Sequence, residues 1–185
     1  RYFGEKRPLL TPARQHILRY EKAAACLESA PVLLPCKRDY VIETNYSQYV
    51  HAHHAEDLDK TRGILQERYG AYIPFYDAYM KKTTGHRFNM FVMRRDLLDE
   101  YCNWLFDILF ELERRLDIRG YTPYDQRVFG FVAERLLDVW IEENRCPYTE
   151  LPVINMENQH WLKKGTAFVM RKVTSGANCR VKLNL

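Results

Sequence analysis

His51, His53, His54, Glu56 and Asp57 crowd into one stretch, His-Ala-His-His-Ala-Glu-Asp. Imidazole and carboxylate groups at this density are common ligands of divalent metals. They are also the groups that bond sugar hydroxyls and phosphate. The spacing is not that of a His-Glu-x-x-His metal motif, so three readings stay open. They are a metal site, a polar binding site, and a helix start with solvated or structurally bonded histidines.

A second polar group, Thr122-Pro123-Tyr124-Asp125-Gln126-Arg127, has the form of a helix start. Side chains there lie near the positive end of the helix dipole, where ligands often sit. Asp125 and Gln126 could hold sugar hydroxyls and Arg127 a phosphate; equally, Asp125 could simply stabilise the helix. Glu134 and Arg135 interrupt an apolar helical pattern, and Glu134 shares a face with Arg127 seven residues before it. A carboxylate in a partly buried cleft can act as a base; an ion pair is the plainer alternative. Asn89 stands in the run Phe88-Asn-Met-Phe-Val-Met93, where a buried amide needs partners from a substrate or a neighbouring backbone.

The elements that must position these groups are mostly helical. Thr11-Pro12 reads as a helix start, with the helix running to Ser29 before Pro31. Val32-Leu33-Leu34 reads as a short buried strand, and residues 36–50 as a loop. A helix starts near Glu56-Asp57 and ends at Gly70; a short one covers Ile73–Met80; Phe88–Met93 reads as a strand. Leu97, Tyr101, Trp104, Leu105, Ile108, Leu109, Leu112 and Leu116 recur three and four apart, which predicts one long helix. Val128 to Trp140 predicts another, and Leu151–Ile154 a last strand.

Composition bounds the class. The chain has 185 residues, 46% hydrophobic and 28% charged, enough for one domain with a core. Its 13 Tyr suit either a sugar cleft or a Tyr-rich core. The net charge of +4 comes from interspersed residues, which argues against a nucleic-acid arm and leaves an anionic partner such as a nucleotide or phospholipid. Cys26, Cys36, Cys102, Cys146 and Cys179 form no Cys-x-x-Cys pair and are odd in number, as in a reduced cytoplasmic protein. No apolar run approaches the roughly 20 residues of a membrane span, and no signal peptide is recognisable. The chain opens on Arg1 rather than Met, so sequence upstream is expected.

Several long stretches resemble a family of bacterial proteins from capsular and exopolysaccharide gene clusters, classed with GT-A type glycosyltransferases. They are Tyr40-Val-Ile-Glu43-Thr, Tyr49-Val-His51-Ala-His53-His54-Ala-Glu56-Asp57-Leu58, Asn89-Met-Phe-Val-Met93, Tyr101-Cys-Asn-Trp104-Leu-Phe-Asp-Ile-Leu and Arg127-Val-Phe-Gly130-Phe-Val-Ala-Glu134-Arg135-Leu. Arg1-Tyr2-Phe3 looks like the end of that family's His-Tyr-Arg-Arg-Tyr-Phe motif.

The resemblance implies a fold class: the α/β, helix-rich C-terminal part of a GT-A (Rossmann-like) fold without its first nucleotide-binding strands. It implies one glycosyltransferase-like domain over residues 1–162 and no transferase activity from these residues alone; residues 163–185, basic and without helical period, read as a loosely ordered tail. The implied reaction moves a hexose such as galactose from a nucleotide-diphosphate sugar to a lipid-linked or oligosaccharide acceptor. The implied place is the cytoplasm, at the inner face of the plasma membrane, with peripheral membrane contact. Asp125, Glu134 and Asp57 are the implied catalytic carboxylates. Arg1, Tyr2, His51, His53, His54, Asn89, Gln126 and Arg127 are the implied substrate-binding groups. Where many GT-A enzymes hold a divalent metal with Asp-x-Asp, this motif is basic. That implies no metal cofactor, arginine neutralising the diphosphate instead. The alternative is a non-catalytic carbohydrate-binding or assembly module.

Overall fold

The computed structural model describes residues 1–5 and 14–156. The expected Thr11-Pro12 helix start and the expected tail from residue 163 lie outside them, but the helix expected up to Ser29 does not include residues 14–19, which are a 3-10 turn and extended chain, and it starts only at Tyr20. Strand β1 (Tyr2–Phe3) is followed by a 3-10 turn at Arg14–His16 and helix α1 (Tyr20–Ser29). Then come β2 (Val32–Pro35) and β3 (Arg38–Asp39). The stretch expected to be a loop also holds helix α2 (Asn45–Ala52). Thr44 starts that helix, its hydroxyl accepting the Ser47 N–H at 3.1 Å. Asn45 is fully buried, and its amide donates to the carbonyls of Tyr79 and Thr84, both at 2.9 Å. Those long-range bonds are what a local polar pattern cannot announce.

Helix α3 (Ala55–Arg68) opens with Glu56 and Asp57 in its first turn and is followed by α4 (Ile73–Lys81). Strand β4 (Thr84–Gly85) and β5 (Val92–Met93) flank a non-strand segment. Phe88 to Met93 is therefore a strand only in its last two residues, because Phe88 and Asn89 adopt left-handed φ of 83° and 48°. Helix α5 (Arg95–Arg115) matches the long periodic run. A 3-10 turn at Asp125–Arg127 leads into α6 (Val128–Glu143), and β6 (Tyr148–Leu151) and β7 (Val153–Ile154) follow, separated by Pro152.

β2 is the centre of a small sheet ordered β5-β2-β6, antiparallel to β5 and parallel to β6. Val32, Leu33 and Leu34 are wholly buried there, as a strand covered on both faces requires. β1 pairs with β7, and β3 with β4. The core lies among α3, α4, α5, α6 and this sheet, and Tyr49, Tyr76, Tyr79 and Tyr101 are part of it. Much of the tyrosine content is thus core. No helix among the described residues is long and apolar enough to cross a membrane.

Candidate functional site

Helix α6 and the left-handed segment before β5 enclose a cleft of about 290 Å³, lined by Arg1, Phe88, Asn89, Arg127, Gly130, Phe131 and Glu134. Residues separate in sequence meet here for a local reason. The Phe88 N–H donates to Glu134 Oε2 at 2.8 Å, and the Asn89 amide donates to the Gly130 carbonyl at 2.8 Å. Both bonds hold the backbone in a region that asparagine tolerates and phenylalanine rarely adopts. Such a conformation costs about 1–3 kcal/mol and persists only where its surroundings enforce it.

The cleft is cationic at its rim. The Arg1 guanidinium sits 4.2 Å from the centroid of the Phe88 ring, with Arg38 at 5.7 Å from the same ring. Arg127 lies 5.3 Å from Phe131 and 5.8 Å from Tyr124. Stacking on aromatic faces fixes guanidinium groups without consuming all their N–H donors, which stay free for an anion. Glu134 supplies negative charge within the cleft, its side chain 21% exposed.

Two buried arginines lie close to this acid. Arg135 is 3.8 Å from Glu134 and donates to the Phe131 carbonyl at 2.8 Å and to Gln48 at 2.9 Å. Burial pushes its pKa down, and the nearby charge of Arg87 adds to this. Arg87 donates to the Tyr79 hydroxyl at 2.7 Å and to the Asn45 carbonyl oxygen. Burial works against its charge too, but Tyr79, Tyr40 and Glu134 outweigh it and raise its pKa.

The histidine cluster divides. His53 stacks on Phe131, with centroids 4.3 Å apart, and its Nδ1 faces Asp125 at 3.0 Å. Phe131 thus joins this pair to the cleft wall. The Thr122 hydroxyl first, and His53 second, hold the Asp125 carboxyl below the usual range. His54 stacks on Tyr121 at 4.1 Å. His51 faces Glu43 at 2.7 Å on the exposed surface, Gln126 reaches the Tyr121 carbonyl at 3.4 Å, and Tyr2 is a half-exposed residue of β1.

Asp57, expected among the catalytic carboxylates, is buried and does not line the cleft. One of its oxygens accepts from Tyr49 at 2.7 Å and the other from Tyr121 at 2.6 Å. With both oxygens engaged by hydroxyls, it ties α2 and the segment before α6 to α3. Arg1, Asn89, Arg127 and Glu134 come together in the cleft; Asp125 and His53 stand beside it; His51, His54, Gln126, Tyr2 and Asp57 do not line it. The sequence reading missed Arg38, Arg87, His86 and Asp138. Charged residues are ordinarily read as exposed, which hid Arg87, His86 and Asp138; only the apolar residues around Asp138 in α6 hint at its burial, and exposed Arg38 carries no pattern of its own.

A larger groove of about 380 Å³ lies between α2, α3 and α4, floored by Leu58, Tyr76 and Met80. Two of its charged groups are paired with each other, Arg62 binding Asp77 at 2.8 and 2.7 Å. Among the described residues, no group of three or more His, Cys, Asp and Glu is placed to hold a metal ion.

Residues 1–145 match a family model described as Domain of unknown function (DUF4422). An apo structure of the WbbM bifunctional glycosyltransferase is similar at 30% identity and a TM-score of 0.68, over 71% of this chain and 25% of that one. The chain therefore spans about a quarter of the length of that relative. No curated protein matches. The helix-rich α/β arrangement is one found within a glycosyltransferase.

Proposed function

This chain belongs to the domain family of unknown function DUF4422, and on that premise we propose that it carries part of a GT-A type glycosyltransferase site, with groups for the donor's diphosphate and for the acceptor. The observation that carries the reading is the convergence of Arg1, Arg127, Asn89 and Glu134 on one cleft. The reaction moves a hexose from a nucleotide-diphosphate sugar to a lipid-linked or oligosaccharide acceptor, in building a capsular or secreted polysaccharide at the cytoplasmic face of the membrane.

In this reading the acceptor hydroxyl oxygen attacks the anomeric carbon as the bond to the diphosphate oxygen breaks. Arg1 and Arg127 take up the charge that develops on the leaving diphosphate, a role suited to their stacked, directional donors. Glu134 receives the hydroxyl proton. Asn89 bonds sugar hydroxyls. Asp125, oriented by His53, positions the acceptor. Arginine in place of a metal makes the reaction independent of divalent cations.

The test is turnover by the full-length protein against a panel of nucleotide sugars, with and without EDTA. Transfer that survives EDTA and drops roughly 10²–10³-fold in Arg127→Ala, as loss of a charge-stabilising donor does, supports the reading. Activity lost in EDTA and restored by Mn²⁺ overturns metal independence. Saccharide binding without any transfer favours a carbohydrate-binding module.

A further inference from the structure

Helix α6 presents three acceptors four residues apart on one face: the Gly130 carbonyl, the Glu134 carboxylate and the Asp138 carboxylate. The segment from Gly85 to Asn89 runs along them in the opposite direction. Asn89 bonds Gly130, Phe88 bonds Glu134, and His86 bonds Asp138. The last contact is double: Asp138 Oδ2 accepts the His86 backbone N–H at 2.8 Å, and Oδ1 meets the ring Nδ1.

Both partners are buried, His86 to 1% and Asp138 to 3% exposure. The other ring nitrogen, Nε2, faces Glu150 of β6 at 3.3 Å. Tyr148 packs its ring edge-on against the imidazole, with centroids 5.2 Å apart. Gly85 enters this anchor because nothing larger fits. A Cβ there would stand 2.5 Å from the Tyr79 hydroxyl and 3.2 Å from Asp138 Oδ2.

We infer that Asp138 and His86 are positioning residues for the cleft, setting from within the core where Phe88 and Asn89 stand. A carboxylate taking two donors from one residue fixes that residue's backbone and ring together. The chain then has only Arg87, itself held by Tyr79 and Asn45, before it reaches Phe88. Phe88 in turn seats Arg1. Moving His86 therefore moves the cleft's wall and one of its cations, although neither His86 nor Asp138 lines the cleft. The ligand readout rests on the function proposed above; the geometric readout does not.

Two variants test this in the full-length protein, Asp138→Asn and His86→Gln. Exchange of the Phe88 amide with deuterium is followed by NMR, with the interior amides of α6 as reference. Binding of inorganic pyrophosphate is followed by calorimetry. The expected result is Phe88 exchange faster by about tenfold or more relative to α6, a local opening rather than a global one. Pyrophosphate affinity should fall by about tenfold or more, as sub-ångström displacement of a binding group implies. A folded variant with unchanged relative Phe88 exchange and unchanged affinity overturns the inference, whatever its melting temperature. If Asp138→Asn does not fold, His86→Gln, whose flexible side chain no longer locks a ring and the backbone together on Asp138, decides alone. If the wild-type protein fails to bind pyrophosphate, the proposed anion site falls while the exchange data still decide the positioning role.

Discussion

The Phe88 amide donates to Glu134 Oε2 at 2.8 Å, so a backbone group in the left-handed region is tied to a carboxylate that lines the cleft. Glu134→Gln keeps an oxygen that can accept this bond and removes the charge facing Arg135. Turnover of the full-length protein should fall about 10²–10⁴-fold. Stability should drop by about 1–3 kcal/mol, less than for a fully buried pair, because Glu134 is partly solvated. Turnover per folded molecule, set against urea unfolding of the same preparation, checks both. Normal turnover in the folded fraction would reduce Glu134 to a clamp on Phe88.

Asp57→Asn should behave in the opposite way. Two tyrosine hydroxyls lose their charged acceptor, and a buried donor left poorly satisfied costs about 1–3 kcal/mol. Turnover per folded molecule should stay within a factor of about two, since Asp57 lies off the cleft. A large kinetic loss without a stability loss would return Asp57 to the chemistry.

Gly85→Ala should destabilise by about 1–3 kcal/mol through overpacking against Tyr79 and Asp138. The midpoint of denaturant unfolding should fall with its slope unchanged. In a Tyr79→Phe background, which itself strips buried Arg87 of an acceptor, the added cost of Gly85→Ala should be smaller, because the hydroxyl that a Cβ would strike is gone.

Acid should loosen the α3–α5 contact. Glu111 on α5 is held at about 2, against an ordinary value of 4.5, by Arg114 first and Arg115 next. Arg68 of α3 also binds it, at 2.5 Å. A carboxylate whose folded pKa is depressed contributes stability that is complete above its unfolded pKa and is lost as pH falls through the folded one. The window runs from about 4.5 down to about 2. The urea midpoint should therefore decline through this window, and Glu111→Gln should flatten part of the decline. An unaltered slope in the variant would remove this network from the acid response.

The elements legible in the sequence are those whose signal is local. The leucines and aromatics of α5 repeat with helical period, and the Val-Leu-Leu of β2 sits between prolines. Helix α2 hid because Asn45, its first residue, is polar yet buried, satisfied by carbonyls far along the chain. The strand expected from Phe88 was broken by two bonds to α6, which no periodicity encodes. The same holds for the site. Arg127 and Glu134 could be placed on one face by spacing alone, and both line the cleft. Asp57 carried the right chemistry but lies under two tyrosines. His86 and Asp138 carry no pattern, because their burial follows from the packing of elements distant in sequence.

The register that joins Val32 to Tyr148 and Tyr2 to Ile154 bears on how the chain is made. During synthesis the helices from α3 to α5 can dock on neighbours that emerge soon after them. β2 can pair early with β5 on one edge only: its parallel partner β6 follows α6 in the chain, and pairing across such separation is slow. Until then a short apolar strand waits with an unpaired edge, the kind of surface on which nascent chains associate. The family match ends at residue 145, whereas β6 begins at Tyr148. A gene trimmed to the matched residues would remove β6 and leave that edge of β2 without its parallel partner.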